Sequence, residues 1–139
     1  MEANDLEKVC ALENAIFTDP WSTNAFKTDL ENEMAFPLVA EFEQSVVAYA
    51  NLYIVVDEMQ IGNFAVAPGF RHRGVARKLM DEILRIAADR GCCSIYLEVR
   101  ESNKPAQSLY SSCGFVPAGT RKNYYHSPRE SAILMVKEL

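Results

Sequence analysis

The sequence predicts an α/β or α+β protein: a mixed β-sheet with helices packed against it. Three observations carry that expectation. Residues 36–67 read as three strand-like runs joined by tight turns. A helical apolar period then begins at Val75 and gives way to strict alternation from Ser94 to Arg100. After one more helical segment, the chain closes with two further strand-like runs.

A first helix is expected over residues 4–17, because Leu6, Val9, Cys10 and Ile16 recur at helical spacing. Asp19-Pro20 breaks that pattern. Ser22 then suits the N-cap of a short helix that puts Phe26 and Leu30 on one side. Phe36–Glu43 and Ser45–Val56 flank a turn at Glu43-Gln44, and Asp57-Glu58 turns the chain into Met59–Ala67. Connections this short imply an antiparallel meander. Pro68-Gly69 stops the third strand. From Val75, the residues Val75, Leu79, Ile83 and Ile86 share one helix face, opposite Arg77, Lys78, Asp81, Glu82 and Arg85. Gly91 stands where a left-handed C-cap is wanted. In the next strand Ile95, Leu97 and Val99 alternate with Tyr96, Glu98 and Arg100. A second amphipathic helix starts near Ser102-Asn103, carries Pro105 in its first turn, and ends at Gly114. Phe115–Tyr125 and Ser131–Leu139 form the closing strands, joined through residues 126–130.

At 139 residues, without repeats, low-complexity tracts or linkers, residues 1–139 are expected to form a single domain. A chain of this size buries roughly two-thirds of its unfolded surface, so its core needs neither disulfide nor metal. A hydrophobic fraction of 49% with 24% charged residues is that of a globular protein. The net charge of −5, from 14 basic and 19 acidic residues, does not suit a nucleic-acid binder. It suits a basic partner, or simply a solvated surface. Cys10, Cys92, Cys93 and Cys113 show no zinc spacing, and the N-terminus lacks a signal peptide. Cys92 and Cys93 are read as small core residues. No stretch is long or apolar enough to span a membrane, so a cytoplasmic location is expected, with no metal and no membrane partner.

The informative segment is Arg71-His72-Arg73-Gly74-Val75-Ala76, between a strand and an amphipathic helix. The first N–H groups of a helix lack internal partners and carry partial positive charge, so they attract phosphate. Gly74 and the small Ala76 let an anion approach the backbone, while Arg71, Arg73 and Arg77 add positive charge. A Walker loop would need Gly-Lys-Ser/Thr, and a Rossmann turn three glycines. Taken alone, the string fits a phosphate site and an ordinary basic turn equally well.

Further segments decide between them. Arg71-x-x-Gly74-x-Ala76 resembles the Q/R-x-x-G-x-G/A signature of the GNAT acetyltransferase superfamily. With it occur Pro20-Trp21-Ser22, Leu97-Glu98-Val99-Arg100, Ser102-Asn103, Leu109-Tyr110-x-x-Cys113-Gly114-Phe115 and Arg121-Lys122-Asn123-Tyr124-Tyr125. The Trp-Ser, Leu-Glu-Val-Arg and Asn-Tyr-Tyr segments resemble the ribosomal-protein-alanine N-acetyltransferase subgroup (RimI-like). The chain departs from the family pattern in having only Met1–Asn4 before the first helix, where a short strand is usual. A sheet edge is therefore expected to be exposed.

That resemblance implies the GNAT fold: a mixed, mostly antiparallel sheet in a three-layer α-β-α arrangement. It also implies transfer of acetyl from acetyl-CoA to a protein N-terminal amine, that of a small-subunit ribosomal protein starting with alanine, in a ternary complex. Glu98 matches the family's general base and Tyr110 its general acid; without the match they would read as a solvated glutamate and a core tyrosine. Cofactor contacts are implied for the main chain of Phe64, Ala65 and Val66, where the family's strand splays from its neighbour. They are implied also for His72, Arg73, Gly74, Val75, Ala76 and Arg77, and for Asn103, which equally serves as an N-cap. His72 and His126 lack a nucleophile and are assigned no catalytic part. Cys113 is read as core. Trp21, Tyr124 and Tyr125 either wall the acceptor's path or pack in the sheet. Two alternatives stay open: the same fold acting on another N-terminus, lysine or small amine, and a non-catalytic CoA-binding module.

Overall fold

The computed structural model of the chain describes residues 1–17, 20–126 and 128–139. The expected break at Asp19, and Ser127 in the last connection, lie outside the described residues. After a short 3-10 turn, helix α1 (Leu6–Ile16) leads to α2 (Thr23–Glu31). Ser22 caps α2, its hydroxyl accepting from the Ala25 N–H at 3.1 Å. Strands β1 (Leu38–Phe42), β2 (Ser45–Val55) and β3 (Glu58–Val66) form the antiparallel meander. Glu43 and Gln44, both at positive φ, make the first turn as expected. The second turn falls at Val56-Asp57, one residue earlier than the sequence implied, with the β-branched Val56 at φ +58°. Helix α3 (Val75–Asp89), β4 (Ser94–Arg100), α4 (Lys104–Ser112), β5 (Val116–Tyr125) and β6 (Glu130–Glu138) follow. Gly91, at φ +72°, ends α3 with paired bonds from its N–H to Ala88 and from the Cys92 N–H to Ala87.

The six strands lie in the order β1-β2-β3-β4-β6-β5. Only the β3–β4 pair is parallel among these neighbours. Among the described residues no strand precedes α1, and β1 is an edge, as expected. The N-terminal ammonium donates to the Pro37 carbonyl beside that edge at 2.9 Å. Helices α3 and α4 cover one face of the sheet, packing Leu79, Met80, Ile83, Ala87 and Tyr110 on Ala50, Leu52, Ile61, Leu97 and Val99. Burying each large aliphatic chain there contributes about 1.5–3 kcal/mol. Helices α1 and α2 cover the other face, with Val9, Cys10 and Phe26 on Tyr49 and Ala65. The layers are therefore helices, sheet, helices. Among the described residues no helix is long and apolar enough to cross a membrane. Cys92 is buried, but Cys93 is exposed, because the loop after α3 turns it outward to pair with Asp57 at the β2–β3 turn. The reading of both cysteines as core was half right.

One irregularity in β3 shapes everything below. Leu52 pairs with Ile61 and Ala50 with Phe64, so Asn51 faces two residues, Gly62 and Asn63. This bulge reverses the side-chain alternation. Met59 and Ile61 before it, and Phe64 and Val66 after it, all face α3 and α4. Asn63 and Ala65 face α1 and α2. Gly62 fits because a Cβ there would lie 2.9 Å from the Tyr53 ring. Past the bulge β3 leaves β4: their pairing stops at Ile61 and Leu97, and residues 62–66 border an open gap in the sheet.

Candidate active site

At the start of α3 the main chain is shaped to receive an anion. His72 and Gly74 both adopt left-handed φ, +61° and +78°, on either side of Arg73. Among the described residues, the N–H groups of residues 72–77 donate to no acceptor in the chain; the first helical bond is Lys78 to Gly74. Successive free N–H groups over a turn and a helix start form an anion-binding concavity. Gly74 supplies a conformation that L side chains rarely adopt, and nothing lies within 4 Å of where its Cβ would be. The side chains of the three arginines have partners of their own around this concavity. Arg71 donates to the Val66 carbonyl at 3.3 Å. Arg73 lies over the Phe70 ring at 4.8 Å and reaches the Gly69 carbonyl. Arg77 bonds to Ser112 and pairs with Asp81. A planar guanidinium finds aromatic faces and carbonyls near at hand, so main-chain N–H groups dominate the concavity.

The gap between β3 and β4 starts beside this loop. The Ala67 N–H donates to Val47, and Ala65 pairs with Tyr49, so ladder alternation commits the main chain of Ala65 to β2. The N–H and C=O groups of Phe64 and Val66 point into the gap, where the Val66 carbonyl receives Arg71. Of the three residues expected to offer main-chain groups, the register leaves two. Asn103 caps α4, its Oδ1 accepting from Ala106 at 3.3 Å.

Tyr110 of α4 is buried, with its ring edge-on to Phe64 at 5.9 Å and to Phe115 at 6.0 Å. It therefore stands on the α3/α4 side of the gap. Burial above all, then the Tyr125 hydroxyl and the Cys113 thiol, pushes its pKa well above that of a free phenol. Glu98 stands on the opposite side. Ile95, Leu97 and Val99 pack toward α3 and α4, so Tyr96, Glu98 and Arg100 face the other way. The Glu98 side chain is only 12% exposed. Base and acid candidates thus flank the gap from opposite faces of the sheet.

Strand β5 supplies partners for Glu98 that sequence reasoning had not assigned to it. Arg121 Nε lies 3.1 Å from Glu98 Oε1. The same carboxylate, more than burial, raises the pKa of Tyr124 above that of a free phenol. Tyr125 is pushed up to about 12, by burial and then by Glu98. The geometry comes from a second irregularity. Arg121 pairs with Ala132 and Tyr125 with Glu130, and Asn123 in between takes φ +54°. The extra residues swing the tyrosines over β4, where their rings meet at 5.0 Å and Arg100 stacks on Tyr125 at 4.4 Å. Trp21 rests on Phe26 at 5.3 Å. Cys113 is buried as expected, and His72 is exposed.

A second buried polar group was missed. Glu13 of α1 is 1% exposed, and its Oε1 accepts from the Trp21 N–H at 3.3 Å and from Asn63 Nδ2 at 2.9 Å. Desolvation raises its pKa to about 7, against the opposing effect of those two bonds. The signal was in the sequence: Glu13 continues the helical spacing of Leu6, Val9, Cys10 and Ile16 on the buried stripe.

Comparison with known proteins identifies the family. Residues 6–115 match the Acetyltransferase (GNAT) family. The putative [ribosomal protein bS18]-alanine N-acetyltransferase of Bacillus subtilis is 36% identical over 136 residues, covering 97% of this chain and 90% of that protein. The [ribosomal protein bS18]-alanine N-acetyltransferase of Escherichia coli K12 is 34% identical over 138 residues, with 97% and 92% covered. The crystal structure of the ribosomal-protein-S18-alanine N-acetyltransferase from Escherichia coli superposes with a TM-score of 0.93 at 32% identity, covering 99% of this chain and 90% of that one. A family match over most of the chain, full-length relatives above 30% identity, and a sheet opened beside an N–H-lined helix start together place this chain in the GNAT acetyltransferase family.

Proposed function

We propose that the chain is one catalytic domain that transfers acetyl from acetyl-CoA to a protein N-terminal amine, that of the alanine beginning ribosomal protein bS18, in the cytosol. The GNAT family uses acetyl-CoA, and the relatives named for the bS18 reaction match nearly the whole chain. The observation that carries the reading is the gap through the sheet, with Glu98 on one face and Tyr110 on the other. Two substrates approaching from opposite faces meet there, and direct transfer needs just that meeting.

The N–H groups of residues 72–77 receive the diphosphate, and Phe64 and Val66 offer sheet-like bonds to the amides of the pantetheine arm. Asn103 keeps its Nδ2 free for the same substrate while Oδ1 caps the helix. On the other face the acceptor's α-ammonium, with a pKa near 8, loses a proton to Glu98 through a water. The nitrogen attacks the thioester carbon, and the carbon–sulfur bond breaks. Burial keeps the Tyr110 hydroxyl protonated, so an O–H donor stands ready for the departing sulfur. Arg121 holds Glu98 in the meantime, a cation where the acceptor's own cation belongs. Mass spectrometry of products decides the acceptor. The purified protein is offered the Ala-starting bS18 peptide, the same peptide N-terminally blocked, and polyamines. Acetyl on the free α-amine alone is expected; label on lysine or polyamine, or on nothing, overturns the reading.

A further inference from the structure

Past the last β3–β4 pair, two side chains stand on the two banks of the gap, on the same face of the sheet. Glu98 is one residue beyond Leu97, and Asn63 two residues beyond Ile61, the bulge supplying the extra step. Glu98 serves the proposed reaction; Asn63 has no part in it so far. Its amide is held in one sense only: Nδ2 donates to Glu13 Oε1 at 2.9 Å, which leaves Oδ1 unspent. A carboxylate accepts and does not donate, so the charge state of Glu13 selects that orientation. The same Oε1 takes the Trp21 N–H, tying the approach to α2 to the same point. Glu13 Oε2 and both amide atoms of Asn51, which faces the bulge, are buried without a partner in the chain. Stability alone gains little from such an arrangement.

We propose that Asn63 is an acceptor-binding residue whose side-chain carbonyl receives the incoming α-ammonium across the gap from Glu98, and that Glu13 is the positioning residue that aims it. This deepens the proposed function and rests on it for the identity of the acceptor. An ammonium has three N–H donors, and Glu98 through a water uses one of them. A neutral amide oxygen on the facing bank holds a second without competing for the proton, whereas a second carboxylate would. The titratable groups nearest Glu13 on this face are Cys10 of α1, Tyr49 of β2, and Asp29 of α2, which accepts from the Tyr53 hydroxyl; across the gap stand Glu98, Tyr96 and Arg100 of β4 with Arg121, Tyr124 and Tyr125 of β5. Asn51 and Asn63 are the neutral polar neighbours on the strands. Among the described residues no cation pairs with Glu13. Protonated, Glu13 becomes a donor and no longer fixes which end of the Asn63 amide faces the gap.

The test is steady-state kinetics with the Ala-starting peptide at pH 8, varying each substrate separately. Asn63→Ala should raise the acceptor KM roughly 10- to 100-fold, the loss of one charge-assisted bond, and leave the acetyl-CoA KM within about twofold. Glu13→Ala should raise the acceptor KM as well, and the double variant should be no worse than Asn63→Ala, because Glu13 acts through Asn63. As pH falls from 8 to 6, the wild-type acceptor KM should climb further than that of Glu13→Gln, whose amide carries a donor beside its acceptor at every pH, as the protonated carboxyl does, and does not titrate. An unchanged acceptor KM in Asn63→Ala, or multiplicative losses in the double variant, overturns the proposal. Should Glu13→Ala not fold, Asn63→Ala and the pH comparison with Glu13→Gln decide. If wild type acetylates no Ala-starting peptide, the functional reading has failed, and the inference is read from peptide binding to the CoA-loaded protein. Weaker binding by Asn63→Ala supports it, and equal binding removes it.

Discussion

Replacing Glu13 by glutamine should remove a pH-dependent instability from this protein. The carboxyl is 1% exposed and its pKa rises from 4.5 to about 7 on folding. Below pH 4.5 it is protonated in both states and costs nothing extra. Between 4.5 and about 7 the unfolded chain releases the proton while the folded chain keeps it, so folding stability falls as pH rises. Above about 7 the loss is complete. A displacement of that size corresponds to about 3 kcal/mol, of which about 2–3 kcal/mol accumulates between pH 5 and pH 8. For a domain of this length that is roughly 5–10 °C in melting temperature. Thermal melts of wild type and Glu13→Gln at half-unit steps across that range supply the measurement. Any fixed difference between carboxyl and amide cancels in the comparison, so only the wild-type slope in excess of the variant counts. Parallel curves would mean that Glu13 titrates as an exposed carboxylate does, and the account of its burial would be wrong.

Glu98→Gln and Tyr110→Phe should each lower kcat by about 10²- to 10⁴-fold while acetyl-CoA binding stays within about twofold; calorimetry and stopped assays measure both, and full turnover in either variant removes that residue from its role. Gly74→Ala forces a Cβ onto φ +78°, so it should cost about 1 kcal/mol in urea denaturation and weaken acetyl-CoA binding. Unchanged affinity would take the diphosphate away from that turn. Val56→Gly should move stability the other way, by about 1 kcal/mol, since Val56 holds φ +58° and is 90% exposed. A lower urea midpoint would show that the strain assigned to the turn is absent.

Most elements were legible because their signals are local. Ser22 and Gly91 fix helix ends through bonds spanning a few residues, and the alternation of Ile95, Leu97 and Val99 reflects the pleat itself. Glu98 and Tyr110 were legible only through resemblance, because a solvated glutamate and a core tyrosine read the same way in isolation. Arg121 and Tyr124 could not be assigned to Glu98, because their meeting depends on the register of β5 against β6 and on Asn123. The partners of the Arg71, Arg73 and Arg77 side chains were illegible for a related reason. Long flexible cations go to the nearest aromatic face or carbonyl, and sequence spacing does not say where those are. Glu13 was legible and overlooked: its place on an apolar stripe marks a carboxylate that must be buried.

The same extra residue in β3 explains why these features occur together. Without it, Phe64 and Val66 would turn their side chains away from α3 and α4, and Asn63 would face that core. With it, apolar side chains cover the α3/α4 side both before and after the bulge, the main chain of Phe64 and Val66 opens toward the acyl donor, and Asn63 reaches the face that Glu98 occupies. Two half-sites on opposite faces of one sheet need a strand that breaks both its pairing and its alternation at the same point. Such a strand exposes polar main chain, and Glu13 and Asn51 are buried against that point with part of their bonding capacity unused. The instability expected of Glu13 above neutral pH is therefore the counterpart of the gap, and a variant that relieves it without altering acceptor binding would separate the two.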